Sequence, residues 1–347
     1  MPTTPGHASG KLPKKLIDER PLLDAIDGLY LLPAILVAHK LGLFETIGRG
    51  ALTADEISQK LNLKARPTEA LLACASSLGF MSASRNRFRL TPLGASYLLK
   101  ENPINWGPYL DFFIESRAAW SLEAIERSLL SNVAQGGAAP AWAAEQTQRD
   151  DFPRRFTRAM HGHAMAAALV WPTKVDLSSH STLLDIGGGS GAHSIGATLK
   201  WKHLKATVYD IPAVCDAAAE YVSQYGLNQR VAVQRGDMWT DPFPAADVHF
   251  YSEIYHDWPP EKCRELTAKS FKYLPPGGRI IIHELLFNPN KTGPRGTVAK
   301  NMIMIALTQG QQFTASELRD LLQEGGFRSI QVKPTFSYWS IVTGVKR

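Results

Sequence analysis

The chain has 347 residues, of which 44% are hydrophobic, 20% charged and 9% aromatic, and its formal net charge is +6 at pH 7. This composition excludes a disordered, collagenous or coiled-coil protein, and the length predicts two domains rather than one. The basic excess is modest, and no dense Lys/Arg run beyond residues 11–15 carries it, so it is typical of a solvated surface rather than of nucleic-acid binding.

Residues 1–20 are rich in Pro, Gly, Thr and Lys, and we expect them to form a disordered tail. They lack the apolar core of a signal peptide. Apolar stretches such as 29–38 are shorter than the roughly 20 residues that a membrane span needs. Three widely separated cysteines, Cys74, Cys215 and Cys263, form no disulfide framework, so we expect a reducing, cytoplasmic setting.

The next segment, residues 21–115, has a helical pattern throughout. A capping box formed by Thr53 and Glu56 predicts a helix over 54–61. Pro67, near a first turn, predicts a second helix that ends at Gly79, and alternation over 80–90 predicts a small hairpin. This order of elements is the outline of a winged-helix unit.

A winged-helix unit can place its second helix in the major groove of DNA. In this chain the exposed positions of that helix carry almost no side chains that read bases. The hairpin arginines, Arg85, Arg87 and Arg89, are equally well explained by a solvated face. We therefore expect no nucleic-acid partner, and we keep a ligand-sensing regulator as the non-enzyme alternative.

Residues 131–150 are rich in Gly and Ala and are interpreted as a linker or a loose connection. From residue 181 onward, short β-rich runs alternate with helical runs, which predicts an α/β doubly wound sheet. The predicted strands are 182–187, 206–211, 231–236, 247–254, 279–287, 329–333 and 338–345. The last two lie too close together for a helix between them, so we expect a hairpin whose antiparallel final strand edges an otherwise parallel sheet.

The strongest local signal is a strand that leads into four glycines among five residues and then into a helix. Gly187 and Gly189 belong to this loop, in which glycine permits tight turning and close approach of a ligand to the backbone. The spacing also fits a dinucleotide fingerprint. The glycine spacing, taken by itself, therefore also allows an NAD-dependent oxidoreductase.

Carboxylates at the ends of successive strands argue for a different ligand. Asp185 precedes the first glycine, where it would face a pyrophosphate badly but suits the positive charges of S-adenosylmethionine. Asp210 ends the next strand and can bind ribose hydroxyls, and Asp237 with Met238 can contact an adenine ring. Because open α/β sheets bind ligands at the carboxyl ends of their strands, the series predicts a cofactor site there.

Five motifs occur in order: Asp185-x-Gly-Gly-Gly-x-Gly191, Asp210-Ile-Pro212, Gly236-Asp-Met238, His256-Asp-Trp258 and Pro276-Gly-Gly278. This ordered set resembles the metal-independent, S-adenosylmethionine-dependent small-molecule O-methyltransferases, the family of caffeate and acetylserotonin methyltransferases. The resemblance runs from Pro21 to the end of the chain. It implies a class I methyltransferase domain, expected over 116–347, behind a helical, winged-helix-like dimerisation domain, expected over 21–115.

The resemblance also implies an acid–base site. His256 matches the family's general base, a role that suits an imidazole near neutral pH. Glu284 matches the first of two acidic residues that orient this base. The second position holds Gln312 where the family usually has glutamate, and an amide can orient His256 but cannot stabilise its cation by charge. Ser252 is expected at the cofactor, and the family often has a basic residue near it.

Substrate-facing residues are expected on two segments. Phe152, Phe156, Met160 and His163 are spaced four, four and three apart, so they share one helical face. A core stripe explains this spacing equally well, but in the family the matching helix lines the acceptor pocket, as does the segment with Ile303 and Met304. The implied pocket favours a flat aromatic or polyketide-like acceptor.

The sequence therefore predicts a homodimeric class I methyltransferase that methylates a hydroxyl of a small hydrophobic metabolite, with no metal, membrane or nucleic-acid partner. A relative that keeps the cofactor but performs C- or N-methylation, or no methylation, is the alternative within the fold.

Overall fold

The structure, a computed structural model, describes residues 17–134 and 151–347. Most of the expected tail and most of the expected linker therefore lie outside the described residues. The described chain divides into two compact units between Thr91 and Pro92. The domain limits expected from the sequence stay a prediction, because a compact unit need not coincide with a domain that folds alone.

The first unit contains four helices and a hairpin among its described residues. They are α1 (Arg20–Lys40), α2 (Leu43–Ile47), α3 (Ala54–Leu61), α4 (Ala65–Ser77), β1 (Met81–Ser84) and β2 (Arg87–Leu90). The capping box at α3 is present: the Thr53 hydroxyl accepts from the Glu56 amide, and the Glu56 carboxylate accepts from the Thr53 amide. The predicted order of two helices and a hairpin is confirmed.

Helix α1 buries little of its apolar surface. Ile35 and Ala38 are buried, and seven large apolar side chains are exposed: Leu22, Leu23, Ile26, Leu29, Tyr30, Leu32 and Val37. By length and composition alone this 21-residue helix could cross a membrane, so the expectation that no segment is long enough was wrong. Two aspartates, Asp24 and Asp27, interrupt its apolar run.

The second unit is built on a seven-stranded sheet. Its strands are β3 (Thr182–Ile186), β4 (Lys205–Asp210), β5 (Val231–Arg235), β6 (Val248–Ser252), β7 (Arg279–Leu285), β8 (Arg328–Pro334) and β9 (Trp339–Val345). The order across the sheet is β5-β4-β3-β6-β7-β9-β8. The pairs among β3 to β7 are parallel, and β9 is antiparallel to β7 and to β8. The expected mostly parallel sheet with an antiparallel last strand is confirmed.

The position of the last strand differs from the expectation. β9 lies between β7 and β8, so β8 forms the edge. The reason is burial: most of β9 is buried, including Trp339, Ile341 and Val342, whereas β8 is largely exposed. The hairpin therefore returns its more apolar strand into the sheet.

Helices cover both faces of this sheet. The remaining helices are α5 (Pro92–Leu98), α6 (Gly107–Glu115), α7 (Leu122–Ser131), α8 (Phe152–Val170), α9 (Ala192–Lys200), α10 (Pro212–Gln224), α11 (Pro260–Tyr273), α12 (Arg295–Leu307) and α13 (Ala315–Glu324). One core lies under α8, α9 and α10 and includes Trp171 and Phe250; the other lies under α11 and α13 and includes Tyr251 and Phe327. Buried on both faces, the central strands hold their carboxyl ends at one edge.

Candidate active site

The glycine loop follows β3 at this carboxyl edge. Gly187, Gly189 and Gly191 all have left-handed φ angles, of 66°, 55° and 75°, which a residue with a side chain adopts at a cost. A Cβ at Gly187 would lie 2.3 Å from the Ile254 side chain, whereas the space around Gly189 is open. The loop is therefore closed against the protein on one side and accessible to a ligand on the other.

Asp185 and Asp210 support this loop from the neighbouring strands. The buried Asp185 carboxylate accepts from the Ser194 hydroxyl at 2.8 Å and from the Ser194 amide at 3.2 Å, at the start of α9. Asp210 accepts from the amides of Gly189 at 2.9 Å and Ile211 at 2.7 Å. Burial raises the pKa of Asp185 to about 7 and that of Asp210 to about 6.

The other expected cofactor residues lie at the ends of β5 and β6. Asp237 follows β5, is half-buried, and accepts from the Trp239 amide at 2.7 Å. Met238 is also half-buried, and its carbonyl accepts from the Lys269 ammonium at 2.7 Å. Ser252 ends β6, with its hydroxyl 2.9 Å from Nδ1 of the buried His283.

This edge fits S-adenosylmethionine. The open space at Gly189 admits a ligand against the backbone. Asp210 remains half-buried rather than enclosed, and each carboxylate oxygen has lone pairs beyond the amide hydrogen bond that it accepts. Glycine loop, Asp210 and the Asp237–Met238 pair would thus hold the sugar and base, and the roles of individual residues stay predictions.

His256 lies on a short turn, Tyr255–Asp257, directly after β6. Its Nδ1 is 2.8 Å from Oε2 of Glu284 on β7, and only 3% and 1% of the two side chains are exposed. Its Nε2 is 3.5 Å from Oδ1 of Asp257. Because the carboxylate of Glu284 can only accept, Nδ1 carries the hydrogen and Nε2 keeps the lone pair of the neutral ring.

The electrostatics of this histidine suit a base. Burial lowers the pKa of His256, but the charges of Glu284 and Asp257 outweigh it and raise the pKa above its ordinary value. For Asp257 itself, burial raises the pKa to about 6 against the opposing charge of His256. The site therefore stabilises the protonated form of this imidazole.

Gln312 makes no side-chain hydrogen bond to His256, so its expected role in orienting the base stays a prediction. It is buried, but among the described residues neither its Nε2 nor its Oε1 has a hydrogen-bond partner. Its backbone amide is held by the Asn301 side chain at 2.8 Å. The second carboxylate beside His256 is instead Asp257, which comes next along the same turn and which the sequence reasoning missed.

Gly310 packs directly against the backbone of the turn that carries His256. A Cβ at this position would lie 2.0 Å from the carbonyl oxygen of His256 and 2.5 Å from the carbonyl carbon of Asp257. The segment before Gln312 therefore packs backbone against backbone on the turn that carries His256.

The expected acceptor residues divide between two helices. On α8, Phe152, Phe156 and Met160 pack with Tyr109 and Phe112 of α6 in one aromatic cluster, and the ring of His163 stacks on Tyr109 with centroids 4.7 Å apart. On α12, Met304 is buried and Ile303 is half-buried. The α8 stripe is thus partly a core stripe, as its spacing allowed, and the roles of these residues in binding an acceptor stay predictions.

A buried ion pair near these residues was missed by the sequence reasoning. The carboxylate oxygen Oε1 of Glu253 is 2.7 Å from Nζ of Lys300 and 3.6 Å from Nε2 of His163. Burial raises the pKa of Glu253, but Lys300 and His163 outweigh it and hold that pKa well below its usual range. One signal was available: Lys300 precedes Ile303 by three residues, so both lie on one face of α12.

A sheet in this strand order, with a glycine loop and carboxylates at its carboxyl edge, defines an S-adenosylmethionine-dependent methyltransferase. Comparison with known proteins supports this class. The family model of the O-methyltransferase domain matches residues 126–328, more than half of the chain, and that of the O-methyltransferase dimerisation domain matches residues 23–100. The chain belongs to the O-methyltransferase family, and its cofactor is S-adenosylmethionine.

Individual relatives match over nearly the whole chain. The 3-hydroxy-5-methyl-1-naphthoate 3-O-methyltransferase of Streptomyces sahachiroi is 31% identical, with 94% of each chain covered. The N,N-dimethyltransferase OxyT of Streptomyces rimosus is 27% identical, with 90% of this chain and 92% of that one covered. Among solved structures, human N-acetylserotonin methyltransferase in complex with S-adenosylmethionine has a TM-score of 0.82 at 25% identity, covering 96% of this chain and 99% of that chain.

Proposed function

We propose that the protein transfers a methyl group from S-adenosylmethionine to a hydroxyl oxygen of a small aromatic or polyketide-like metabolite, with His256 as general base. The observation that carries this proposal is the buried His256–Glu284 pair, 2.8 Å long, at the carboxyl edge that also carries the glycine loop. The naphthoate relative, named as a 3-O-methyltransferase, supports the same reaction class.

The bound cofactor supplies an electrophilic methyl group on a sulfonium. The acceptor oxygen forms its bond to the methyl carbon while the bond from that carbon to sulfur breaks. The hydroxyl proton passes to Nε2 of His256, whose lone pair is free because Glu284 holds the hydrogen on Nδ1. Glu284 then stabilises the imidazolium by charge, and Asp257, 3.5 Å from Nε2, stabilises it further.

N-methylation is the second candidate. The OxyT relative is named as an N,N-dimethyltransferase, and this chain has an uncharged Gln312 where the family usually has glutamate. A neutral amine needs less help from a base than a weakly acidic hydroxyl, because it already carries a nucleophilic lone pair. An acceptor that carries a hydroxyl and an amine on one ring separates the two candidates, because the position of a labelled methyl group in the product shows which atom was methylated.

We propose also that the chain works as a homodimer in the cytoplasm. The dimerisation family model covers nearly all of α1. A large exposed apolar surface on a helix marks an interaction site, and permanent dimer interfaces bury several thousand Å² of such surface. A second copy is preferred to a membrane because Asp24 and Asp27 lie within the apolar run.

The test is a screen of hydroxylated and aminated aromatic acceptors with methyl-labelled cofactor, with products located by mass spectrometry. His256→Ala should lower turnover on phenols by about 10²–10⁴-fold, the usual contribution of a positioned base, with unchanged affinity for S-adenosylhomocysteine. The exposed histidine variant His203→Gln is the matched control. Full turnover by His256→Ala on the preferred phenol would contradict the assigned base.

A further inference from the structure

The Glu253–Lys300 pair and the nearby His163 bring together side chains from three separate elements of the chain. Lys300 comes from α12, His163 comes from α8, and Glu253 follows β6, three residues before His256. Between 12% and 14% of each of the three side chains is exposed. A charged cluster this deep is not a surface feature, and charges so placed are held there by specific partners.

The backbone of Glu253 indicates that its position is enforced. Its φ is 55°, a left-handed conformation that is uncommon outside glycine. Such a residue persists where the surroundings over-determine it, and such residues cluster at functional sites. The ion pair with Lys300 and the bond from the Glu253 amide to the His283 carbonyl, 3.3 Å long, supply that restraint.

The cluster has more hydrogen-bond donors than the protein uses. The Lys300 ammonium has three donors, and Glu253 is its partner within the described residues. Both ring nitrogens of His163, Nε1 of Trp106 and Oε1 of Glu253 are buried without a hydrogen-bond partner there. A neutral His163 ring adds one donor and one acceptor to the cluster. The 3.6 Å separation between His163 and Glu253 is too long for a hydrogen bond.

Aromatic rings around the cluster hold His163 and Trp106 in place. His163 stacks on Tyr109, and Trp106 meets the His163 ring edge-on with centroids 5.5 Å apart. Trp339 contacts the same ring, with centroids 5.7 Å apart. An apolar aromatic surface with a few convergent donors is the usual form of a small-molecule site.

We propose that Lys300, His163 and Trp106 form a polar subsite that binds a second, hydrogen-bond-accepting oxygen of the acceptor, a carbonyl or carboxylate remote from the methylated hydroxyl. The proposal rests on the proposed function and deepens it by naming the acceptor class. Glu253 neutralises and positions Lys300, so the subsite donates hydrogen bonds to an acceptor oxygen without a buried unpaired charge. The subsite is tied to the base along the chain, since Glu253 precedes His256 by three residues.

The test compares acceptors that share one naphthol core and differ in one substituent: a methyl ketone, a carboxylate or an isopropyl group. The wild type should prefer the oxygen-bearing acceptors over the isopropyl compound by about 10–100-fold in kcat/KM, the discrimination that one or two charge-assisted hydrogen bonds supply. The ratio of kcat/KM for the ketone to kcat/KM for the carboxylate shows which kind of oxygen the subsite prefers.

Two variants remove the donors with little change of shape. His163→Phe keeps a ring against Tyr109, and Lys300→Met keeps the length of the side chain; each should reduce the preference to less than about threefold, chiefly through KM. Lys291→Met, which removes the surface ion pair with Glu317, is the matched control. It should leave the preference for oxygen-bearing acceptors unchanged. Equal losses on all three acceptors, or an unchanged preference, would overturn the subsite.

Lys300→Met leaves Glu253 buried and unpaired, which destabilises proteins strongly. If that variant does not fold, the double variant with Glu253→Gln replaces it, and His163→Phe decides independently. If the wild type methylates none of the acceptors, the proposed function fails. The subsite is then tested by binding: 1-naphthoate should raise the melting temperature of the wild type saturated with S-adenosylhomocysteine and not that of His163→Phe, and equal shifts would refute it.

Discussion

Replacing Glu284 by glutamine tests whether a charge, rather than a hydrogen bond alone, tunes His256. Glu284→Gln keeps the shape of the side chain and an oxygen that can accept from Nδ1. It removes a negative charge at 2.8 Å from a ring that is almost fully enclosed. The variant therefore isolates the electrostatic part of the contact.

The magnitude follows from the two kinds of hydrogen bond. A bond to a charged group contributes about 1.5–3 kcal/mol and a neutral one about 0.5–1.5 kcal/mol, so the protonated ring loses about 1–2 kcal/mol of stabilisation. At about 1.4 kcal/mol per pH unit, the pKa of His256 falls by about one unit. The imidazolium formed during transfer loses the same support, which slows turnover by about 5–30-fold.

The assay is kcat/KM as a function of pH, with an acceptor whose own hydroxyl ionises well above the range. In the wild type the rate should rise as His256 loses its proton, with a midpoint above the ordinary histidine value, because its pKa is raised. In the Glu284→Gln variant, burial still lowers the pKa of His256, but only the charge of Asp257 is left to raise it. The midpoint should therefore move to lower pH. A midpoint that stays in place or moves to higher pH would refute the argument; the exposed variant Glu265→Gln is the control.

Three further predictions concern the cofactor, the assembly and Gln312. S-adenosylhomocysteine at 100-fold its dissociation constant should raise the melting temperature by several degrees, since it stabilises the folded state by about 2.7 kcal/mol, whereas NAD should leave it unchanged; the reverse result would contradict the cofactor. Light scattering at micromolar concentration should give twice the chain mass, and Leu29→Glu, on the exposed face of α1, should lower it; a folded wild-type monomer would exclude the dimer. Gln312→Glu should lower the melting temperature, because it places a carboxylate where neither side-chain atom of Gln312 has a hydrogen-bond partner among the described residues, and in the folded variant it should raise the rate most with weakly acidic phenols, as measured against an ionised acceptor; an equal change on both acceptors would contradict a role of this position in orienting the base.

The strands were predictable because a buried parallel strand is an apolar run between turns. β3 to β7 all begin and end within two residues of their predicted limits, and the glycine loop follows from its composition. The order of β8 and β9 was not predictable from alternation alone. It depends on which strand of the hairpin buries more surface against β7, which the local pattern of either strand does not state.

The site was predictable in part. The His256–Glu284 contact joins two strand ends that are neighbours in the sheet, so the family motif was enough to place it. Glu253 and Lys300 are separated by 46 intervening residues, and no local spacing pairs them. Asp257 was visible beside His256 in the same motif, but its approach to Nε2 depends on the geometry of a short turn.

The backbone contact at Gly310 restricts where this enzyme can change. A side chain there would displace the carbonyl of His256, so only glycine keeps the turn that bears the base at its present distance from the neighbouring segment. The residues of α8 and α12 that we propose to face the acceptor take no part in this backbone contact. On the proposed function, repacking those two helices should alter the acceptor preference and leave the Gly310 contact with the His256 turn unchanged.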